Sequence, residues 1–366
     1  MSRWRTAIEL LRHSGRQLVT ITPSDRPWQM PVAAALAMGL PLLVGCYFGH
    51  MEFGLISSLG GMVFLNLPDT PLHHRMVQLI ACAFALSGSY ALGVMSHLFP
   101  PVMMVMLTFV AILVTMLVRF YRLAPPGGLF CIMAAAIGAY SPCAVLDIPL
   151  KVGLITLGSL LACMVAFFYS LVILRRRPAQ SIEPLPTATF DFVVFDSVMI
   201  GCFVGLSLLL AQLFQLERAY WVPVSCLVIM QGMSVRSMWE KQLHRLLGTG
   251  IGLLVAWGLL SLPLNHWSIS LMMMALSFIV EVTVVRHYGF AAIFITPMSI
   301  LLADAATLNP DIVDELIAAR FFDTLLGCLT GFVGGICLHN PRFRATVGGW
   351  MRMLLPAGMQ ARSLSV

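Results

Sequence analysis

Twelve apolar stretches separated by short polar breaks run along the chain between residues 30 and 338. They fall at Met30–Phe48, Glu52–Asn66, Met76–Leu98, Pro101–Val118, Pro126–Leu146 and Val152–Leu174, then at Phe192–Phe214, Ala219–Met233, Leu246–Leu262, Trp267–Val285, Tyr288–Leu302 and Leu316–Leu338. The apolar positions are continuous and do not alternate, which argues for helices over the strands of a barrel. In lipid every backbone amide must find its partner inside the structure, and a helix meets that condition segment by segment. The pattern therefore predicts an all-α polytopic membrane protein with about twelve transmembrane helices. A crossing takes about 20 residues, so the count falls to ten or eleven if a short stretch is re-entrant.

One polar, proline-bearing break, Arg175 to Phe190 (RRRPAQSIEPLPTATF), divides the stretches six and six. The predicted organisation is a basic amphipathic segment over 1–29, a first six-helix block over 30–174, a cytoplasmic linker over 175–190, a second block over 191–340 and a cytoplasmic tail over 341–366. An even number of spans per block sends both blocks into the membrane in the same sense, so the predicted repeat is parallel. Its traces are local. Pro71–Arg75 (PLHHR) opens the third stretch as Lys241–Arg245 (KQLHR) opens the ninth. In the sixth stretch Lys151, Gly158 and Ala162 match Arg320, Gly327 and Gly331 of the twelfth, at the same spacings of seven and four. Each triple occupies one helix face, with small residues that permit close helix contact.

Composition adds the solvent. Of 366 residues 59% are hydrophobic and 10% charged, with a mean hydropathy of +0.90. A soluble domain carries about 25% charged residues, so this surface calls for a bilayer. The net charge of +6 is explained by where it sits. With a cytoplasmic N-terminus, 19 of the 22 Lys and Arg residues lie inside, and only Lys151, Arg218 and Arg320 lie outside. The positive-inside rule then puts both termini in the cytoplasm, and no nucleic-acid partner is needed. Trp4, Ile8, Leu11 and Leu18 recur near helical spacing among arginines, which predicts an amphipathic helix on the inner leaflet. The first 29 residues hold no secretory apolar core or cleavage site. Nine cysteines and 24 methionines lie in or among the apolar stretches without metal-ligand spacing and read as packing residues.

No Walker A loop, HExxH or GxSxG motif is present, so no catalytic residue, cofactor or metal site is expected, and the chain alone lacks the loop for ATP-driven pumping. What stands out is the block Tyr220 to Gly252 (YWVPVSCLVIMQGMSVRSMWEKQLHRLLGTGIG). It joins a short proline-bearing stretch to a basic loop and then to a helix with Arg245, Gly248, Thr249 and Gly252 on one face. The short second stretch, with Gly60 and Gly61, stands in the corresponding place of the first half. Paired short spans at matching positions point to a transporter's binding site, although Pro223 and the glycines also suit plain packing. Arg236, Lys241, His244 and Arg245 cluster at the inner mouth, either gathering anions or anchoring the topology. Tyr220 and Trp221 fit stacking on a ring-bearing substrate, and fit the interfacial aromatic belt somewhat better.

Ionisable groups inside spans are expensive and by default functional. Asp196, Glu281, Arg320 and Asp323 qualify. Arg320 and Asp323, three residues apart on one face, form either a structural charge pair or a coupled pair in which Asp323 takes up a proton. Glu281, near a span end close to Arg286, is the second proton-coupling candidate. Asp196 lies only one turn inside its span.

With these motifs in place, the sequence resembles the fusaric acid resistance and aromatic acid exporter family. The likeness rests on Tyr220-Trp221-x-Pro223, the basic loop, Arg245-x-x-Gly248-Thr249-x-x-Gly252, Tyr288 and Pro297, and Arg320-x-x-Asp323-x-x-x-Gly327. It covers most of residues 192–340 and, more weakly, the first half. The first half departs from it, with Arg75 followed by Gln78 and Leu79 in the Gly-Thr places, and the large soluble regions of many relatives are here a sixteen-residue linker. The resemblance implies efflux of small organic anions, above all aromatic carboxylates, driven by the proton gradient across a bacterial inner membrane. The substrate path would run past Tyr220, Trp221, Arg236, Lys241, Arg245, Thr249 and Tyr288. Partners on this reading are the anion, protons and the lipid bilayer, with a homo-oligomer or a periplasmic adaptor left open. The alternatives are a non-transporting membrane scaffold, anchored through the basic N-terminal helix and the C-terminal tail, and a passive anion channel.

Overall fold

The computed structural model describes residues 21–182, 189–216, 218–304 and 313–353, and every regular element in them is helical. The twelve apolar stretches become twelve helices in order. In the first half these are α1 (Gln29–Tyr47), α2 (Met51–Gly61, continued by a 3-10 turn), α3 (Leu72–His97), α4 (Pro100–Phe120), α5 (Leu129–Tyr140) and α6 (Ile148–Ile173). The second half holds α7 (Asp196–Leu213), α8 (Trp221–Met230), α9 (Val235–Leu260), α10 (His266–Val284), α11 (Tyr288–Asp304) and α12 (Val313–His339), followed by α13 (Pro341–Met353).

Eight of the twelve are long and apolar enough to cross a membrane: α1, α3, α4, α6, α7, α9, α10 and α12. The other four are α2, α5, α8 and α11, the second and fifth helices of each half. The short second, eighth and eleventh helices match the expectation from sequence; the fifth, expected over Pro126–Leu146, shortens to Leu129–Tyr140. A ten-residue helix such as α8 is about 15 Å long, roughly half of a hydrocarbon core about 30 Å thick.

Two boundaries move for identifiable reasons. Helix α9 starts at Val235, ahead of the predicted Leu246. Ser234 caps it, accepting the Ser237 N–H at 3.1 Å while the Ser237 hydroxyl accepts the Ser234 N–H at 3.2 Å. The segment read as a basic loop is therefore the polar first part of a helix. Within the tail expected over 341–366, residues Pro341–Met353 form α13. The predicted N-terminal amphipathic helix, the middle of the linker and the end of the tail lie outside the described residues.

The two halves pack by the same rule. In the first, α2 lies on α6 and α3 on α5; in the second, α8 lies on α12 and α9 on α11. Across the halves α4 packs on α7 and α10 on α1, while α5 meets α8 and α11 meets α2. All four short helices thus touch the opposite half. Close approach explains the small residues on the sixth and twelfth helices. A Cβ at Gly158 would run into the Ser57 carbonyl of α2, and one at Gly327 into the Val222 carbonyl of α8.

Several arginines meet at one end of the bundle. Arg119 and Arg344 both reach Asp196, Arg26 reaches Glu281, Arg352 reaches Asp191, and Arg177 donates to the Asp25 carbonyl. At the opposite end Lys151 donates to the Ser141 hydroxyl at 2.9 Å and to the Pro142 carbonyl.

Candidate functional site

Helix α8 lies deepest. All ten of its residues are buried, between α7 and α12 of its own half and α5 of the other. Pro223 is tolerated because it stands in the first turn, where its missing N–H has no helical acceptor. Against α8, helix α12 turns a buried face carrying Arg320, Asp323, Thr324, Gly327, Cys328 and Gly331.

Behind them runs α9. Its Gly248 sits against Ala292 and the Gly289 carbonyl, and its Gly252 against the Ile293 carbonyl and Thr296, so α9 and α11 approach closely. That contact buries Arg245 and Thr249, which share the face. The Arg245 guanidinium donates to the Ser225 hydroxyl of α8 at 3.0 Å and to the Tyr288 hydroxyl of α11 at 3.1 Å. The Cys328 thiol of α12 lies beside it, and its Nε has no partner. One planar fork therefore ties four helices together. Arg245 is only 6% exposed, and among the described residues it pairs with no carboxylate. Burying a charge is costly unless an opposite charge or a full set of hydrogen bonds compensates it; here the hydrogen-bond partners are neutral hydroxyls and the nearby charge, Lys241, is of the same sign. The corresponding Arg75 of the first half differs. It donates to the Thr70 carbonyl at 2.6 Å and lies 3.8 Å from the Asp69 carboxylate.

Toward the end that holds Lys151, the Arg320 guanidinium lies 3.8 Å from the centre of the Trp221 ring. Trp221 packs at 5.3 Å on Tyr220, and Tyr220 at 5.9 Å on Tyr140 of α5. The Tyr140 hydroxyl accepts a bond from Gln212 at 3.3 Å. Tyr220 and Trp221 are buried, at 6% and 3% exposure, so they do not belong to a lipid-facing aromatic belt. Asp323 is fully buried, and neither carboxylate oxygen has a hydrogen-bond partner. No hydrogen bond joins it to Arg320, three residues earlier on the same buried face.

The remaining predicted residues scatter. Lys241 lies with its Nζ 5.7 Å from the Tyr288 ring centre, next to the Arg245 cluster. Arg236 is half exposed and bonds Glu240 at 3.1 Å; nine residues ahead of Arg245, it stands about 14 Å away along the helix. Glu281 belongs to another place altogether: Arg26 donates to it at 2.9 Å, at the cytoplasm-assigned end of α10, and Arg286 is not its partner. Four members of the site had no mark in the sequence reading: Ser225, Cys328, Tyr140 and Gln212. Ser225 and Cys328 each lie a few residues from a named motif residue, at helical spacing that puts them on its face. Tyr140 ends a helix of the other half, and no local pattern points to it.

The decisive comparison concerns this region. Residues 204–334 match the protein family described as Fusaric acid resistance protein-like. The resemblance drawn from the motifs is thereby borne out. The matched stretch contains Gln212, Tyr220, Trp221, Ser225, Arg245, Thr249, Tyr288, Arg320, Asp323 and Cys328, which is the whole cluster except Tyr140. A stretch of 140 residues is 25% identical to the Uncharacterized membrane protein YvaC of Bacillus subtilis (strain 168). It covers 38% of this chain and 22% of that protein, so the likeness spans about a fifth of the relative's length. No solved structure matches the chain.

Proposed function

We propose that this protein is a secondary exporter of small organic anions, with aromatic carboxylates as the leading class, working in a bacterial inner membrane with both termini in the cytoplasm. The observation that carries the reading is Arg245: a buried cation, presented by neutral hydroxyls, with no described carboxylate beside it. Its planar fork matches a carboxylate, whose two oxygens it can take in parallel. An arriving anion supplies the charge the site lacks. The fusaric acid resistance-like match over the same helices supports the same class of activity.

The aromatic rings of Tyr140, Tyr220 and Trp221 offer faces for a ring-bearing substrate on its way past Arg320. Asp323 serves as the proton-coupling group, as an ionisable side chain inside a span, fully buried and with neither oxygen hydrogen-bonded. The matching packing of the two halves, with short helices at equivalent places, supports a parallel repeat, and Tyr140 of α5 is the first half's contribution to a site built by α8, α9, α11 and α12.

Everted vesicles loaded by a proton gradient test the reading. Gradient-dependent accumulation of members of an aromatic acid panel is the expected result. Flux that only dissipates a concentration difference would make the protein a channel, and no flux at all would favour a scaffold.

A further inference from the structure

Helix α12 leaves one face to the lipid. Phe322, Leu329, Val333 and Ile336 recur at helical spacing and are all exposed, while the opposite face packs on α8. At the arginine-rich end this apolar stripe does not run out on a flat surface. It enters a cleft of about 470 Å³, lined by Ile336, His339, Asn340, Pro341 and Arg342 from the corner between α12 and α13, and by Val235 from the start of α9. Small-ligand sites span about 300–1,000 Å³. Next to the cleft Trp239 of α9 packs on Phe332 of α12 at 5.6 Å, so its apolar wall is shared by the two helices.

The polar side of the cleft is cationic, and its charge is not neutralised. Helix α13 carries three arginines. Arg344 is paired with Asp196 and Arg352 with Asp191, whereas no carboxylate among the described residues pairs with Arg342. Arg342 is exposed, and Glu240, the acid on this part of α9, is taken up by Arg236. The start of α13 is not itself the attraction, because Asn340 Oδ1 already accepts the N–H groups of Arg342 and Phe343 at 3.0 and 3.3 Å. His339 is held through Nδ1 by the Gly335 carbonyl at 2.9 Å. Arg342 shares its face of α13 with Trp350, which is 65% exposed, as suits tryptophan at a membrane–water boundary.

We propose that this cleft binds one anionic phospholipid of the cytoplasmic leaflet, with the phosphate on Arg342 and an acyl chain along Ile336, Val333 and Leu329. The parts match in order along the bilayer normal. The arginine fork takes two phosphate oxygens in parallel. From Ile336 the stripe runs about 10 Å to Leu329 and about 21 Å to Phe322, deeper than one leaflet of a hydrocarbon core about 30 Å thick. A zwitterionic lipid brings its own cation to Arg342 and is the poorer partner; a soluble phosphate leaves the apolar wall uncovered. The bound lipid clasps the corner from which α13 reaches Asp196 and Asp191, so it stabilises the folded protein by mass action.

Melting of the purified protein in a neutral detergent tests the site, with phosphatidylglycerol, phosphatidylcholine or glycerol 3-phosphate added in turn. Phosphatidylglycerol should raise Tm at concentrations about tenfold below those at which phosphatidylcholine acts, as one charge-assisted arginine contact warrants. Glycerol 3-phosphate, a head without chains, should have no effect over the same range. Arg342→Gln should erase the preference between the lipids, and Arg342→Lys should keep part of it. Among the described residues the Arg342 guanidinium has no partner to lose, so both variants should melt like the parent without lipid. An equal response of the parent to the two lipids, or an undiminished preference in Arg342→Gln, would overturn the site. Stabilisation by glycerol 3-phosphate alone would replace the lipid with a soluble phosphate and overturn it too. None of these readings involves anion flux, so the site stands or falls separately from the exporter.

Discussion

The Arg245 guanidinium donates to the Tyr288 hydroxyl at 3.1 Å, joining α9 to α11 at a level where no described carboxylate faces the charge. The bond fixes one arm of the fork and Ser225 fixes the other, so the group is held ready at little further loss of side-chain freedom.

Arg245→Lys keeps the charge and loses the two-armed geometry. We expect anion uptake into everted vesicles to fall about tenfold, a loss of about 1.4 kcal/mol in the transport step. Arg245→Gln should abolish uptake. Protein amount and detergent elution should match the parent in both, and undiminished uptake by the glutamine variant would reduce Arg245 to a structural role.

Tyr288→Phe removes the acceptor from a buried charged donor. Such a loss costs about 1–3 kcal/mol, and it should appear as a lower Tm in detergent together with weaker substrate affinity. A variant equal to the parent in both would mean that the hydroxyl does not orient the guanidinium.

Within α6, Gly158 and Gly153 make a matched comparison. A Cβ at Gly158 strikes the Ser57 backbone, whereas one at Gly153 meets nothing within 4 Å. Overpacking costs about 1–3 kcal/mol, so Gly158→Ala should lower Tm. Gly153→Ala should hold or raise it, since alanine is favoured over glycine in a helix by about 0.5–1 kcal/mol. Equal Tm values for the two would contradict the packing of α2 on α6.

Asp323→Asn preserves shape and removes the titrating proton. The expected outcome is an inserted protein that moves substrate down its gradient and no longer accumulates it against one. Normal gradient-driven accumulation by this variant would clear Asp323 of the coupling role.

Sidedness is checked by single cysteines in a cysteine-free chain. A cysteine replacing the highly exposed Leu146 should react only from the periplasmic side, and one replacing Gln180 only from the cytoplasmic side. Reaction of the residue-146 cysteine from the cytoplasm would invert the whole arrangement.

Much of this was legible in the pattern of residues. Long apolar runs fix helices because lipid offers no other partner to the backbone, and all twelve runs became helices. Glycine spacing also spoke plainly: Gly248/Gly252 and Gly327/Gly331 mark the two closest helix contacts of the site. Helix ends were less legible. The polar start of α9 looked like a loop because hydropathy cannot distinguish a wet helix from a turn, and Ser234 gave the only local sign. Partners across the sequence left no local trace. Glu281 read as a proton-coupling candidate close to Arg286, whereas its partner is Arg26, 255 residues away. Tyr140 joined the aromatic row only through the packing of α5 against α8.

Helix α8 finally bears on how the protein is made. Enclosed along its whole length, and about half as long as a bilayer requires, it is kept in place by its neighbours and not by its own affinity for lipid. The neighbour that covers it most closely, α12, does not exist until synthesis has reached Val313. Insertion therefore cannot be completed span by span as the ribosome delivers them. The second half must wait, with α8 sheltered by α7, by the first half or by the insertion machinery, until its last crossing arrives. A chain stopped after α11 would thus lack one helix and strand another, which makes it a ready target for membrane quality control.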